Sequence, residues 1–241
     1  MKTYKNLLKY YFFRYLNSIY LLAPIIIWFV YEYILYSIKG KELLDISIGS
    51  IRMLFFIMVW FGFAFVENIN NLEEEIFLLR LEKKSMYYRS RNLFIYIIGI
   101  ILSSTAFIIP LIIGLVNSSF FSTNITFKDL MVIFVYHILA AILGGTLGLL
   151  FDSRYFLNRK AALSYLMLIV VFSIAKEGIV HQYSYLKNIL YILPPIWDII
   201  NYYSMNKDFE ISRTIISIVH ALGYSLILLL LDKFFRKYKN R

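Results

Sequence analysis

The chain of 241 residues is too apolar for a soluble protein, with 60% hydrophobic, 19% aromatic and only 17% charged residues and a mean hydropathy of +0.68. Soluble domains typically carry about 25% charged residues, so this composition excludes a water-facing surface over most of the chain. The net charge of +10 then indicates anionic membrane lipid, and not nucleic acid, as the partner of the basic residues.

Six apolar segments are long enough to cross a bilayer as helices, which takes about 20 residues each. They are residues 18–38, 51–69, 93–116, 130–151, 161–180 and 214–231. The fifth reaches span length only by including Lys176 and Glu177, whose charges we expect to reach the interface. The sequence therefore predicts an all-α integral membrane protein whose residues 1–241 form a single transmembrane domain.

The basic residues predict the orientation of these spans. Most of the 25 Lys and Arg residues lie in the N-terminal segment, after the second and fourth spans, and at the C-terminus. Cytoplasmic loops carry an excess of Lys and Arg, so both termini are expected to be cytoplasmic. The richness in Ile, Lys, Asn and Tyr is typical of an AT-rich genome, and we expect the plasma membrane of a bacterium.

Residues 1–16 have the pattern of an amphipathic helix on the inner leaflet. One face carries Lys2, Lys5, Asn6 and Lys9. The other is apolar and aromatic, comprising Tyr4, Leu7, Leu8, Tyr11, Phe12 and Tyr15. A simple basic anchor beside the membrane is the alternative.

Two charged residues lie near the outer ends of the first two spans. Glu32 falls in the outer half of the first span, and Arg52 opens the second on the same side. Charged groups within spans are functional candidates by default. We expect a structural ion pair between them, with a transport role for Glu32 as the alternative.

The loop after the second span predicts a further helix over residues 71–84. Asn71 is the expected N-cap, with Glu74 placed as in a capping box. The acidic run 73–75 in the first turn and the later basic residues complement the helix dipole. Leu72, Ile76 and Leu79 share one face and need a partner, either lipid or protein. A solvated charged helix is the alternative.

The fourth span carries a stripe of small residues, Ala140, Gly144 and Gly148, which lets another helix approach closely. The polar His137 and, in the sixth span, His220 are expected to be hydrogen-bonded packing residues. Between the fifth and sixth spans, Pro194-Pro195 divides residues 183–203 into two short aromatic halves. We expect them to form re-entrant or interfacial helices on the outer side.

Catalytic motifs are absent from the sequence. The chain has no Cys and no phosphate-binding loop, H-E-x-x-H or G-x-S-x-G motif. Its three His residues are far apart, so no metal site is expected. We therefore expect no catalysis and no cofactor bound by this chain.

Three segments resemble those of a known family. Residues 73–81 look like the acidic start and apolar body of a coupling helix, and residues 85–92 like the small, basic and aromatic run that follows it. Leu193-Pro194-Pro195-Ile196-Trp197 is similar to an outer element before a last span. With the N-terminal elbow helix and six spans, the chain resembles the membrane (permease) subunit of a type-2 ABC exporter, of the small kind associated with peptide or bacteriocin export or immunity.

The resemblance implies partners and a cargo. A separate cytoplasmic ABC ATPase would bind ATP and Mg²⁺ and dock on Glu73, Glu74, Glu75, Phe77, Leu78 and Leu81. A second permease subunit, in a homodimer or heterodimer, would complete a path for an amphipathic peptide or other hydrophobic cargo. The alternative is a non-transport membrane protein, such as an immunity protein, sensor or assembly factor. A secondary transporter is disfavoured because only Glu32 lies clearly within a span.

Overall fold

The computed structural model describes residues 2–117, 119–123, 125–204 and 211–239. These ranges contain helices and turns and no strand. The α-helices are α1 (Lys2–Leu16), α2 (Ile19–Leu35), α3 (Leu43–Glu67), α4 (Asn71–Arg80), α5 (Lys84–Val116), α6 (Phe127–Leu150), α7 (Arg159–Gln182), α8 (Ile196–Ser204) and α9 (Ile211–Lys239). Short 3₁₀ helices occur at Ser153–Tyr155, Ser184–Leu186 and Ile189–Ile192.

Five helices among the described residues are long and apolar enough to cross a membrane. They are α3, α5, α6, α7 and α9. The chain is therefore a multi-pass helical membrane protein. The remaining apolar helix, α2, has 17 residues, which gives a length of about 25 Å.

The short helix α2 nevertheless runs between the same two ends of the bundle as α3. At its start, Asn68 Nδ2 beyond the end of α3 donates to Ser18 Oγ at 2.7 Å. Beyond its other end, the backbone N–H of Gly40 donates to the carbonyl of Phe120 at 2.9 Å. Gly40 has a φ of +79°, a conformation that glycine adopts without steric cost.

The centre of the bundle is a close crossing of α3 and α6. A Cβ atom at Gly144 would meet the carbonyl oxygen of Phe55, and one at Gly148 would meet that of Val59. Gly62 of α3 faces the same stripe, where an added Cβ would lie 2.8 Å from the carbonyl oxygen of Gly145. The stripe of small residues predicted on the fourth span therefore packs against α3, with backbone against backbone.

Several helix bounds differ from the predicted ones. α5 begins at Lys84 and not at residue 93, and α4 ends at Arg80 and not at residue 84. α3 begins at Leu43 and not at residue 51. Its first turns contain polar residues that lower the local hydropathy. One of them bonds within the helix, since Ser47 Oγ donates to the carbonyl of Leu43 at 2.7 Å. α4 is capped by Asn70, whose side chain accepts from Leu72 N–H at 3.1 Å, and not by the predicted Asn71.

The two amphipathic helices pack on the bundle. The apolar face of α1 meets α3 and α5, with Tyr11 against Phe65 at 5.3 Å and Tyr15 against Phe61 at 5.1 Å between ring centroids. The protein's own helices thus cover the face expected to contact lipid. α8 begins after the Pro pair and buries Ile196, Ile199, Ile200 and Tyr203. The first half of 183–203, predicted as a helix, forms two 3₁₀ turns.

Candidate functional site

Ion pairs hold α4 across one end of the bundle. Glu73 accepts from Arg14 and from the hydroxyl of Tyr10, the latter at 3.2 Å, which joins α4 to α1. Glu74 accepts from Arg154, in the turn between α6 and α7. Glu74 is buried, and charge-assisted bonds of this kind are stronger than neutral ones. α4 is therefore fixed to two separate parts of the chain.

The apolar residues predicted to receive an ATPase lie on the inner side of α4. Phe77 packs 4.9 Å from Tyr10 and 6.0 Å from Tyr87 between ring centroids. Leu78 and Leu81 are also partly buried against the same hydrophobic cluster. These three side chains are therefore only partly accessible to a partner, and their docking to an ATPase stays a prediction. Of the predicted acidic residues, only Glu75 is exposed.

The outward face of α4 carries the apolar stripe that the sequence places on one face of this helix. Leu72, Ile76 and Leu79 are 67%, 50% and 85% exposed. These three residues, which we term the α4 outer face, lie beside the exposed charges of Glu75 and Arg80. Apolar side chains grouped on the surface of a helix are typical of a site that contacts lipid or another protein.

A second ionic cluster lies at the same end, below α4. Asp232 of α9 is bound at 2.8 Å by Arg91 of α5 and at 2.9 Å by Arg236. The hydroxyl of Tyr155 donates to its other oxygen at 3.3 Å. Arg91 and Asp232 are both buried. The cluster fixes the C-terminal part of α9 to α5 and to the turn that bears Arg154.

Arg154 is the link between α4 and this turn. Its Nε donates to both oxygens of Asp152 at 2.8 Å, and its Nη1 to Glu74. Burial by itself lowers the pKa of the guanidinium, but the hydrogen bonds and charges of Asp152 and Glu74 raise that pKa above its ordinary value. Arg154 therefore remains charged and keeps both carboxylates in place.

The basic segments of the sequence meet at this end of the bundle. α1, α4 with the start of α5, the turn before α7 and the C-terminal part of α9 are joined there by ion pairs. We call it the basic end. The loop 36–42 and residues 119–123 meet at the opposite end.

The predicted ion pair between Glu32 and Arg52 is wrong. Arg52 lies 3.5 Å from Glu177 of α7, and both side chains are largely exposed. Glu32 is buried and accepts from Ser50 Oγ at 2.5 Å. Ser50 also lies 2.8 Å from Nε2 of His137, which is buried as expected of a hydrogen-bonded packing residue. His220, in contrast, is half-buried on α9.

Lys176, which we expected at the interface, is buried within the chain. Its Nζ is buried and donates to Asp198 of α8 at 2.6 Å. The rings of Tyr191 and Trp197 lie 4.9 and 5.4 Å from the same nitrogen, at cation–π distance. The sequence signal for this pair was a lysine that interrupts an apolar run, but its partner lies in another helix.

A groove of about 610 Å³ opens between α2, α3 and α7 near the basic end. Its walls are apolar and aromatic, and Glu67, Asn68 and Arg159 form its polar part. Arg159 Nε lies 3.5 Å from Glu67. No group of three or more potential metal ligands occurs among the described residues.

No protein-family model, curated protein or solved structure matches the chain. The candidate site therefore rests on its own geometry. That site is the α4 outer face together with the ion pairs that bind α4 to the bundle.

Proposed function

We propose that the chain is the membrane subunit of a type-2 ABC exporter for an amphipathic peptide or other hydrophobic cargo, driven by a separate cytoplasmic ATPase. The way in which α4 is attached to the bundle is the observation that supports this proposal. The helix lies at the basic end, is fixed to the bundle by Glu73 and Glu74, and leaves an apolar stripe uncovered. A helix held in this way can transmit a push from a soluble partner into the membrane domain.

The contacts of α4 define the route of that push. The contacts with Arg14 and Tyr10 connect α4 to α1. Those with Tyr87 and Arg154 connect it to the start of α5 and to the turn before α7. Since packed helices have discrete arrangements and do not deform continuously, a tilt of α4 would shift these elements together. ATP and Mg²⁺ would bind in the partner, and this chain would not be catalytic.

The ATPase would dock on the α4 outer face, Leu72, Ile76 and Leu79, with Glu75 and Arg80 at its edge. The sequence already predicted that these three residues share a face in need of a partner. The exposed leucine and isoleucine side chains would be desolvated by a cleft in the ATPase. Phe77 and Leu78 would serve to hold α4 to its own bundle.

Six spans are part of the proposal. α2 lies alongside α3 from one end of the bundle to the other, and its 17 residues are supplemented by the turn at its end, so that it crosses despite its length. α1 would then be the elbow helix. With the basic end cytoplasmic, both termini would lie inside the plasma membrane of a bacterium, and anionic lipid would contact the exposed Lys5 and Lys9.

A second permease subunit would complete the transport path. Only 22% of the apolar window of α7 is buried within the chain, against 67% for α3 and α6. The groove between α2, α3 and α7 adds an open apolar surface on the same side. A copy of this chain or a related permease would pack there, in a homodimer or heterodimer.

The experiment co-expresses the chain with a soluble ABC ATPase, if an adjoining gene encodes one, and measures co-purification and ATP hydrolysis in liposomes. The double variant Ile76→Ala with Leu79→Ala should lose most of the bound ATPase with an unchanged melting temperature. Leu157→Ala is the matched control, because Leu157 is 96% exposed near the basic end but lies outside α4. Wild-type binding and hydrolysis in the double variant would refute the docking face. The absence of binding by the unmodified chain would instead favour the non-transport alternative.

A further inference from the structure

Four helices meet at a buried polar cluster away from α4. Glu32 of α2, Ser50 of α3 and His137 of α6 are each at most 1% exposed. Ser50 Oγ lies between the other two, 2.5 Å from Glu32 Oε1 and 2.8 Å from His137 Nε2. Trp28 lies edge-on to the His137 ring at 6.5 Å, and its indole N–H donates to Thr105 of α5 at 3.0 Å. Aromatic and apolar side chains thus enclose the cluster.

The hydrogen-bond geometry of the cluster indicates how many protons it holds. His137 Nδ1 lies 2.7 Å from the carbonyl oxygen of Ile133, and since a carbonyl only accepts, Nδ1 carries a hydrogen. If Glu32 were ionised and His137 neutral, Glu32 Oε1 and His137 Nε2 would both be acceptors. Ser50 has a single hydroxyl hydrogen for the two of them. One of the two short contacts would then bring lone pairs together in a buried site.

One added proton removes this conflict in either of two ways. If it lies on Glu32, the acid donates to Ser50 Oγ, and Ser50 donates to His137 Nε2. If it lies on His137, Nε2 donates to Ser50 Oγ, and Ser50 donates to Glu32. The two arrangements contain the same atoms and the same net charge. They interconvert when Glu32 passes its proton to Ser50 Oγ while the Ser50 hydroxyl proton moves to His137 Nε2.

The second oxygen of Glu32 supports the presence of this proton. Oε2 is buried and accepts no hydrogen bond from the described residues. An ionised carboxylate buried with one hydrogen bond is costly, whereas the neutral acid or an ion pair with an imidazolium is cheaper.

We propose that Glu32, Ser50 and His137 form a binding site for a single proton, and that release of this proton at high pH weakens the packing of α2 against α3 and α6. The cation nearest along α3, Arg52, turns to Glu177, and α5 contributes the neutral Thr105. Among the described residues, the phenols of Tyr31 on α2 and Tyr36 at its C-terminal end are close enough to interact with Glu32, and Tyr36 in turn interacts with Tyr203 of α8. This proton site does not depend on the proposed role of the chain in an ABC exporter.

Spectroscopy of the folded chain tests the proton count directly. The variant His181→Asn with His220→Asn leaves His137 as the sole histidine for ¹⁵N-labelled NMR at pH 7. Infrared difference spectra against Glu32→Gln report the carboxyl group. Either a neutral Nδ1–H imidazole with a protonated acid or an imidazolium with a carboxylate supports the proposal. A neutral imidazole together with a carboxylate overturns it.

Stability as a function of pH gives an independent test. Above about pH 8 an unfolded chain holds neither a proton on Glu32 nor a second proton on His137, while the folded site holds one of the two. The unfolding equilibrium constant should therefore rise up to tenfold per pH unit until the folded site releases its proton. Glu32→Gln should be stable and should lose this slope, because its amide donates permanently to Ser50 Oγ.

Two control variants complete the pH experiment. Glu177→Gln changes an exposed carboxylate on α7 and should keep the wild-type slope. Ser50→Ala should destabilise the fold more than Ser103→Ala, since the buried Ser103 bonds only the carbonyl of Gly99 in its own helix. A wild-type pH slope in Glu32→Gln would overturn the proposal.

Discussion

Asp232 is the residue whose neutralisation should damage the fold most clearly. It binds Arg91 and Arg236, and the Arg91 and Asp232 side chains are only 1% and 3% exposed. Asp232→Asn would keep the shape of the side chain but leave two guanidinium groups close together without their shared carboxylate. Breaking a buried ion pair from one side costs about 3–5 kcal/mol. At roughly 2–4 °C per kcal/mol for a chain of this size, the melting temperature should fall by about 6–20 °C.

The assay is thermal unfolding in detergent micelles followed by tryptophan fluorescence. Glu177→Gln is the control because it removes a carboxylate from an exposed pair with Arg52, which is worth about 0–1 kcal/mol. The double variant Arg91→Met with Asp232→Asn should lose less than the sum of its single variants, as contacting groups do. Equal small losses for Asp232→Asn and Glu177→Gln would refute the reasoning.

Two further predictions concern packing and orientation. Gly148→Ala should destabilise the chain by about 1–3 kcal/mol, because the added Cβ would meet α3. Gly178→Ala is the control and should be neutral or slightly stabilising, since its Cβ would meet no atom within 4 Å. Equal melting temperatures for the two variants would contradict the close α3–α6 crossing. Single-Cys variants at Ser122 and Ser85 are clean probes because the chain has no Cys. An impermeant thiol reagent outside intact cells should label the first and not the second, and the reverse pattern would overturn the proposed orientation.

The membrane character of the chain and the locations of its apolar helices were predictable from sequence. The hydrocarbon thickness of a bilayer sets a minimum length for an apolar helix, so hydropathy locates α5, α6, α7 and α9 without knowledge of their neighbours. The interfacial pattern of residues 1–16 and the surface helix after α3 likewise follow from local periodicity. Helix starts were less predictable, because α3 contains polar residues that bond within the helix.

Only the tertiary structure decided which charged groups meet. Glu32 and Arg52 are neighbours along the predicted hairpin, yet Glu32 bonds Ser50 and Arg52 turns to Glu177, which follows them by more than a hundred residues. Likewise, Glu73 forms an ion pair with Arg14, and Glu74 forms one with Arg154. A local sequence pattern predicts an amphipathic helix. The rotation of that helix about its own axis depends on contacts with distant parts of the chain. For that reason the sequence alone determined the apolar helices, while their packing decided which face of α4 is left open.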